Sequence, residues 1–163
     1  MQAIMATLGY LLTPDRRQVL LVHRDRRPDD LHLGYCNGLG GKLEPGEDAA
    51  AGMAREIREE SGLDCHELEL AGTISWPGFG RAGENWFAFV FRVTGWSGQP
   101  YRECPEGTLA WHPVADLLTG RVPVRPSDAN FLPLVFAEPP RLFHGVQPFS
   151  GGVPQSWSHT LTG

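Results

Sequence analysis

Residues Gly41 to Leu63, GKLEPGEDAAAGMAREIREESGL, constrain this chain more than any other stretch. The run opens as a turn, because Gly40, Gly41 and Gly46 free the backbone for positive φ and Pro45 fixes one φ angle. From Asp48 the pattern becomes helical. Asp48 is placed to cap, Ala49–Ala51 favour helix, and Gly62 is placed to stop it. At about 100° per residue, Ala50, Met53, Ala54 and Ile57 share one arc and predict the buried stripe. Glu56, Glu59 and Glu60 share the adjoining arc. Carboxylates at these spacings repel, each neighbouring pair costing a few tenths of a kcal/mol (roughly 0.2–0.5), and only Arg55 and Arg58 lie close enough to relieve them. One reading is a solvated acidic face. The other is a set of oxygens gathered for a hard divalent cation such as Mg²⁺, which takes carboxylates together with substrate phosphates. The glycine turn feeding the helix, with Glu47 at its mouth, favours the second.

The rest of the composition narrows the class. A chain of 163 residues is expected to form one domain with a proper core, and 41% hydrophobic with 20% charged residues is the balance of a soluble globular protein. No apolar run approaches the roughly 20 residues of a membrane span, and the first residues lack a signal-peptide shape, so no membrane partner and a cytoplasmic location are expected. A net charge of −5 argues against binding a nucleic acid polymer, while leaving room for a small nucleotide whose phosphates arrive with a cation. Cys36, Cys65 and Cys104 are odd in number, widely spaced and without a CxxC, which suits reduced packing thiols rather than disulfides or zinc.

In chain order, Ala6–Thr13 and Val19–His23 read as strands joined by the turn Pro14–Arg17, a hairpin. Arg24–Asp30 reads as a solvated loop, with a basic contribution to phosphate binding as its functional alternative. Asn37 beside Gly38 is a turn residue, or an amide presented to a base edge. Leu68–Trp76 and Trp86–Val93 read as strands around a loop from Pro77 to Gly83, and Leu109–His112 as a short strand before a short helix over Val114–Leu118. Ser127–Phe136 predicts a second full helix, capped by Ser127 or Asp128, with Phe131, Leu134 and Val135 inward. Arg141–Phe149 predicts a last strand. Residues 1–150 are thus expected to form the domain, and the Gly/Ser-rich residues 151–163 a loosely ordered tail.

The stretch that opened this reading fits the Nudix box G-x5-E-x7-R-E-U-x-E-E-x-G-U without a mismatch: Gly41, Glu47, Arg55, Glu56, Ile57, Glu59, Glu60, Gly62 and Leu63 occupy every fixed place. The chain therefore resembles the Nudix hydrolases, which implies an α/β fold, an α/β/α sandwich around a mixed β-sheet. It also implies Mg²⁺-dependent hydrolysis of a nucleoside diphosphate derivative, with Mn²⁺ a possible substitute. By the same resemblance Glu56, Glu59 and Glu60 are metal ligands or the base that takes the proton of the attacking water, with the division of those duties open, and the Gly41 carbonyl is a further ligand. Glu47 and Arg55 are expected to pair and brace the loop against the helix. Glu106, just ahead of Leu109–His112, stands where related pyrophosphohydrolases carry an extra acidic ligand or base.

A narrower resemblance, carried by Gly34–Lys42, Glu106 with Trp111, Arg125–Asp128, Phe131–Leu134 and Phe143–Gly145, is to the MutT-type branch and its oxidised-purine nucleoside triphosphatases. Those enzymes turn 8-oxo-dGTP or similar nucleotides into the monophosphate and pyrophosphate, keeping damaged bases out of DNA. The resemblance makes Asn37 and Asp128 base-reading residues. It departs at Ser127, where the animal enzymes carry a second aspartate, and at Arg125, where they carry a stacking tryptophan. Arg125 could stack through its guanidinium plane or mark a different base preference. Trp76, Phe79, Trp86 and Phe131 are stacking or core residues, and Lys42 a phosphate contact or a solvated lysine. ADP-ribose or a dinucleoside polyphosphate is the alternative substrate, and a non-catalytic nucleotide-binding module the alternative role.

Overall fold

In the computed structural model, which describes residues 1–163, a large mixed sheet forms the middle layer. It starts as the expected hairpin. Strands β1 (Ile4–Leu12) and β2 (Gln18–Arg24) pair antiparallel at Leu11↔Leu20 and Leu12↔Val19. After those two pairs the strands part. Short strand β3 (Cys36–Asn37) joins β2 and β4 (Leu39–Lys42) joins β1, so Gly38 alone carries the chain across the fork. A Cβ on Gly38 would lie 2.6 Å from the carbonyl oxygen of Gly9, and one on Gly40 2.0 Å from that of Thr7. Only glycine allows backbones this close.

Helix α1 (Ala49–Ser61) follows with the ends the sequence predicts. Asp48 accepts the Ala51 N–H at 2.8 Å, and Gly62, at φ +78°, donates to the Arg58 carbonyl at 2.9 Å. Its buried residues are Gly52, Met53, Ile57 and Ser61. Ala50, placed on the inner stripe by the wheel, is exposed.

Strands β5 (Asp64–Trp76) and β6 (Trp86–Ser97) form a long antiparallel pair, and β6 runs parallel to β1 from Ile4↔Trp86 to Leu11↔Val93. The hairpin β7 (Glu103–Cys104) and β8 (Gly107–Pro113) lies against β2, and α2 (Val114–Leu118) follows as expected. The full helix predicted over Ser127–Phe136 is not there. A 3-10 turn at Asp128–Asn130 is followed by the four-residue α3 (Leu132–Val135), and neither has a side-chain cap. Pro133, which lacks an N–H, sits within the predicted span and suits only a helix's first turn. Phe131 and Val135 still point inward, whereas Leu134, expected inward, is only partly buried and Leu132 takes the buried place.

The C-terminal reading is also corrected. Strand β9 (Leu142–Val146) runs parallel to β5, β10 (Phe149–Ser150) pairs with β11 (Val153–Pro154), and β12 (Ser158–Thr162) pairs antiparallel with β9 through Ser158↔Val146 to Thr162↔Leu142. Strand pairing therefore includes Val153–Pro154 and Ser158–Thr162, within the stretch expected to be a loose tail. The anchor is Trp157, whose ring fills the space a side chain at Gly145 would need, 2.1 Å from a Cβ there, and lies 6.5 Å from Phe131. The sheet order is β12-β9-β5-β6-β1-β2-β8-β7, with β3 and β4 in the fork.

Alternation along the strands divides the apolar side chains between two cores. Tyr10, Leu12, Val19 and Leu21 face the layer holding α2 and α3, with Val122, Phe131, Val135 and Phe143. Leu11, Leu20 and Val22 face α1, against Met53, Ile57 and Leu63. Helical segments on both faces of one mixed sheet give the α/β/α arrangement. No helix is long and apolar enough to cross a membrane.

Candidate active site

The fork between β1 and β2 holds two chemically different halves that meet at Gly40 and Gly41. On the α1 side, Arg55 organises the carboxylates. Its Nε and Nη2 donate to Glu47 at 3.0 and 2.6 Å, Nη2 also to the Lys42 carbonyl at 3.1 Å, and Nη1 to Glu56 at 2.9 Å and Glu59 at 3.3 Å. Glu47 also accepts the Glu44 N–H at 2.7 Å. This forked grip ties the end of β4 and the turn after it to the helix; Gly40–Lys42, expected from composition to belong to the turn, are strand paired with β1. The Arg55 guanidinium holds the Glu47 carboxyl down to about 2, and Glu47 in turn raises the Arg55 pKa.

Glu56 packs on the backbone of Gly41, where a Cβ would lie 2.5 Å from its Oε1. Glu60 accepts the Gly40 N–H at 3.0 Å. Burial pushes the Glu60 carboxyl up to about 9, with the charges of Glu56 and Glu106 adding to the rise and the Gly40 N–H opposing it. Glu106, on the β7–β8 turn, reaches this group: one ligand atom each from Glu60, Cys104 and Glu106 lie within 4.8 Å of one another. Glu59 is on the outer, exposed side of the helix. The Gly41 carbonyl is approached at 3.4 Å by the Thr7 hydroxyl. Crowded carboxylates, among them the buried Glu60 that is pushed to keep its proton, are a donor set that a hard cation would relieve, so the residues fit a divalent metal.

On the other side of Gly40–Gly41 lies a cleft of about 220 Å³. That is below the roughly 300–1,000 Å³ of common ligand pockets, room for a ring system rather than a whole nucleotide. Trp76, Phe79, Trp86 and Phe149 give it aromatic walls, and Tyr10, Arg24, His32, Asn37, Arg125, Ser127 and Asp128 supply polar groups. Phe131 is not among its walls and lies in the core. Asn37 Nδ2 is 3.1 Å from His32 Nδ1, while Asn37 Oδ1 and Trp86 Nε1 are buried without partners. Burial lifts the Asp128 carboxyl to about 6 against the pull of Arg125. The Arg125 guanidinium stands 5.9 Å from the Phe79 ring and 6.0 Å from Phe149. Lys42 is exposed at the rim, its Nζ 5.5 Å from the Trp86 ring.

The NUDIX domain profile matches residues 4–135 of the chain. The chain belongs to the Nudix family. It is 32% identical over 126 residues to an uncharacterised Nudix hydrolase of Bacillus subtilis, covering 75% of this chain and 72% of that one. To the mouse oxidized purine nucleoside triphosphate hydrolase it is 34% identical over 134 residues, covering 79% and 77%. Among solved structures, the MutT protein of Bacillus halodurans superposes with a TM-score of 0.80 at 26% identity, covering 96% of this chain and 97% of that one. The protein is a Nudix hydrolase of the MutT type.

Against this Nudix frame, the structure brings Gly41, Glu47, Arg55, Glu56, Glu60 and Glu106 into one group, and Asn37, Ser127 and Asp128 into the cleft beside it. Sequence reasoning left out Cys104, which touches the carboxylate group, and His32, which holds Asn37. Cys104 stands two residues before Glu106, a signal that was available. His32 is a lone loop histidine, and nothing in its neighbourhood announces a partner.

Proposed function

We propose that the protein is a Mg²⁺-dependent pyrophosphohydrolase that converts an oxidised purine nucleoside triphosphate, such as 8-oxo-dGTP, into the monophosphate and pyrophosphate. One observation carries the reading: Gly40 and Gly41 line the aromatic cleft and at the same time contact Glu60 and Glu56. A base held in the cleft lays its phosphate chain along the glycine strand and onto the carboxylates. The similarity to the mouse oxidized purine hydrolase points to the same substrate class.

In this reading Glu56, Glu60, Glu106 and the Gly41 carbonyl would hold the cation, with Glu59 at the outer edge. A cation held there would supply neutralising charge to the phosphate oxygens and acidify the attacking water. Arg55 and Glu47 fix the carboxylates in place without touching substrate. A glutamate of the group accepts the proton of the water as its oxygen bonds to phosphorus. The bridging P–O bond breaks and pyrophosphate departs. Asn37 and Asp128 hold the base edge, aromatic walls hold its faces, and Lys42 at the rim is within reach of the phosphates.

A turnover screen with Mg²⁺ tests this, comparing 8-oxo-dGTP, its diphosphate, 2-hydroxy-dATP, the ordinary dNTPs, ADP-ribose and a diadenosine polyphosphate, with products separated. The expected result is the highest kcat/KM for an oxidised purine triphosphate, with release of pyrophosphate and loss of turnover in chelator. Preference for ADP-ribose or the dinucleotide overturns the substrate while keeping the hydrolase.

A further inference from the structure

One polar pairing in the cleft joins Asn37 to a residue that the proposed hydrolysis gives no role. His32, between β2 and β3, places Nδ1 3.1 Å from Asn37 Nδ2, and both side chains line the cleft. A carboxamide nitrogen only donates, so the ring nitrogen facing it must accept. His32 is then uncharged, with its proton on Nε2. Its surroundings enforce the uncharged state. Burial first, then the positive charges of Arg125 and Arg24, bring its pKa down to about 4, against the opposing charge of Asp30. Asp30 is itself held by Arg24 at 2.7 Å and by the His32 backbone N–H at 2.9 Å.

With Nδ2 tied to the ring, the orientation of the amide is fixed, and Oδ1 is its unpaired end. That oxygen is buried and has no partner. Buried polar atoms are rarely left so, and an orphan in a cleft wall is where a ligand or an ordered water completes the hydrogen bonding. We infer that His32 is a positioning residue for base selection: by holding Asn37 Nδ2 it makes Oδ1 an obligate acceptor, so that the cleft favours a ring edge carrying an N–H donor.

The inference rests on the nucleotide reading of the cleft and sharpens it. N7 of an ordinary purine is an acceptor, whereas oxidation at C8 places a proton on N7 and creates a donor. The opposite ring tautomer would reverse the preference. With the proton on Nδ1, Asn37 would turn over to accept it through Oδ1 and would offer Nδ2 to the ligand. The polarity of the reading edge is thus set by one proton on a residue that need not touch the base.

Nitrogen-15 NMR of the histidine rings in the free protein tests this directly, with the His32→Phe spectrum identifying the His32 signals. The expected result is a bare Nδ1 and a protonated Nε2 at neutral pH. A protonated Nδ1 overturns the proposal whatever the substrate. Kinetics give the second test. His32→Phe removes the acceptor and is expected to lower the ratio of kcat/KM for oxidised over ordinary purine triphosphate about tenfold, through KM. His32→Gln, whose side-chain oxygen can accept from Asn37 again, should restore most of it. Unaltered selectivity in His32→Phe, or equal loss in both variants, overturns the role. If the wild-type protein prefers a different nucleotide altogether, the substrate reading fails, and the ring tautomer still decides this proposal.

Discussion

The two halves of the site are built by opposite means. The carboxylate half is mostly local: the end of β4, a turn and helix α1 spanning Gly41–Leu63, pulled together by one arginine with five hydrogen bonds, to Glu47, Glu56, Glu59 and the Lys42 carbonyl, with Glu106 reaching in from the β7–β8 turn. The cleft is assembled from remote pieces, with walls from β1, the β2–β3 and β5–β6 loops, the turn at Arg125–Asp128, and Phe149. A local device of charged groups tolerates little change in any member. An assembled cleft of aromatic walls and single polar contacts should change its preferences gradually.

The largest effect is expected on the carboxylate half. Glu60→Gln should lower kcat about 10²–10⁴-fold, as loss of a charged or proton-accepting group does, and Glu59→Gln should also fall, with the melting temperature retained in both. Full activity in both variants would remove the carboxylates from the chemistry and end the contrast. Next comes Arg55→Lys, which keeps the charge but cannot make the forked contact to Glu47. A drop of about 10–100-fold in turnover is expected, with weaker Mg²⁺ binding by calorimetry. Wild-type turnover in that variant would mean the cross-tie is ornamental.

The cleft should answer differently. Asp128→Ala is expected to raise KM for the oxidised purine about tenfold and to leave a pyrimidine triphosphate little affected. An equal rise for both would take Asp128 out of base recognition. The smallest effect is on stability. The Asp128 carboxyl, near 6 in the folded chain, lies above the value of about 4 expected when unfolded. The folded state therefore binds this proton more tightly, and ionisation destabilises it: nothing is lost below about pH 4, the cost grows as pH rises to about 6, and it stays constant above. Asp128→Asn should raise the melting temperature at pH 7.5, by an amount equivalent to about 1–2 kcal/mol, and not at pH 4. A gain of the same size at both pH values would refute the ionised, buried carboxylate.

The same contrast explains what could be read from the sequence. The helix ends at Asp48 and Gly62 and the β1–β2 hairpin depend on neighbours within a few residues, and such neighbours are visible in a string; the contact of Glu47 with Arg55, eight residues apart, was legible only through the family resemblance. The cleft depends on which strands pair, so Phe79 and Phe149 meeting over Arg125 left no local trace. Where reading failed, long-range contacts had overruled composition. Ser158–Thr162 looks like a tail until β9 offers an edge and Gly145 a seat for Trp157. The predicted second helix shows the reverse, a correct inward pattern at Phe131 and Val135 on a backbone that Pro133 helps to shorten.

The forked strand has one more consequence. β1 carries Thr7 beside Gly41 at one end of the site and Tyr10 beside Asp128 at the other. They stand three residues apart along the extended chain, a span of about 10 Å that a paired strand cannot stretch or shorten. If the base and phosphates lie as proposed, β1 serves as a ruler, gauging how far a ring sits from the bond to be cut. On the proposed reading, molecules of the wrong length would fail on this gauge before any hydrogen bond is consulted, and a second nucleoside would have to hang outside the measured interval.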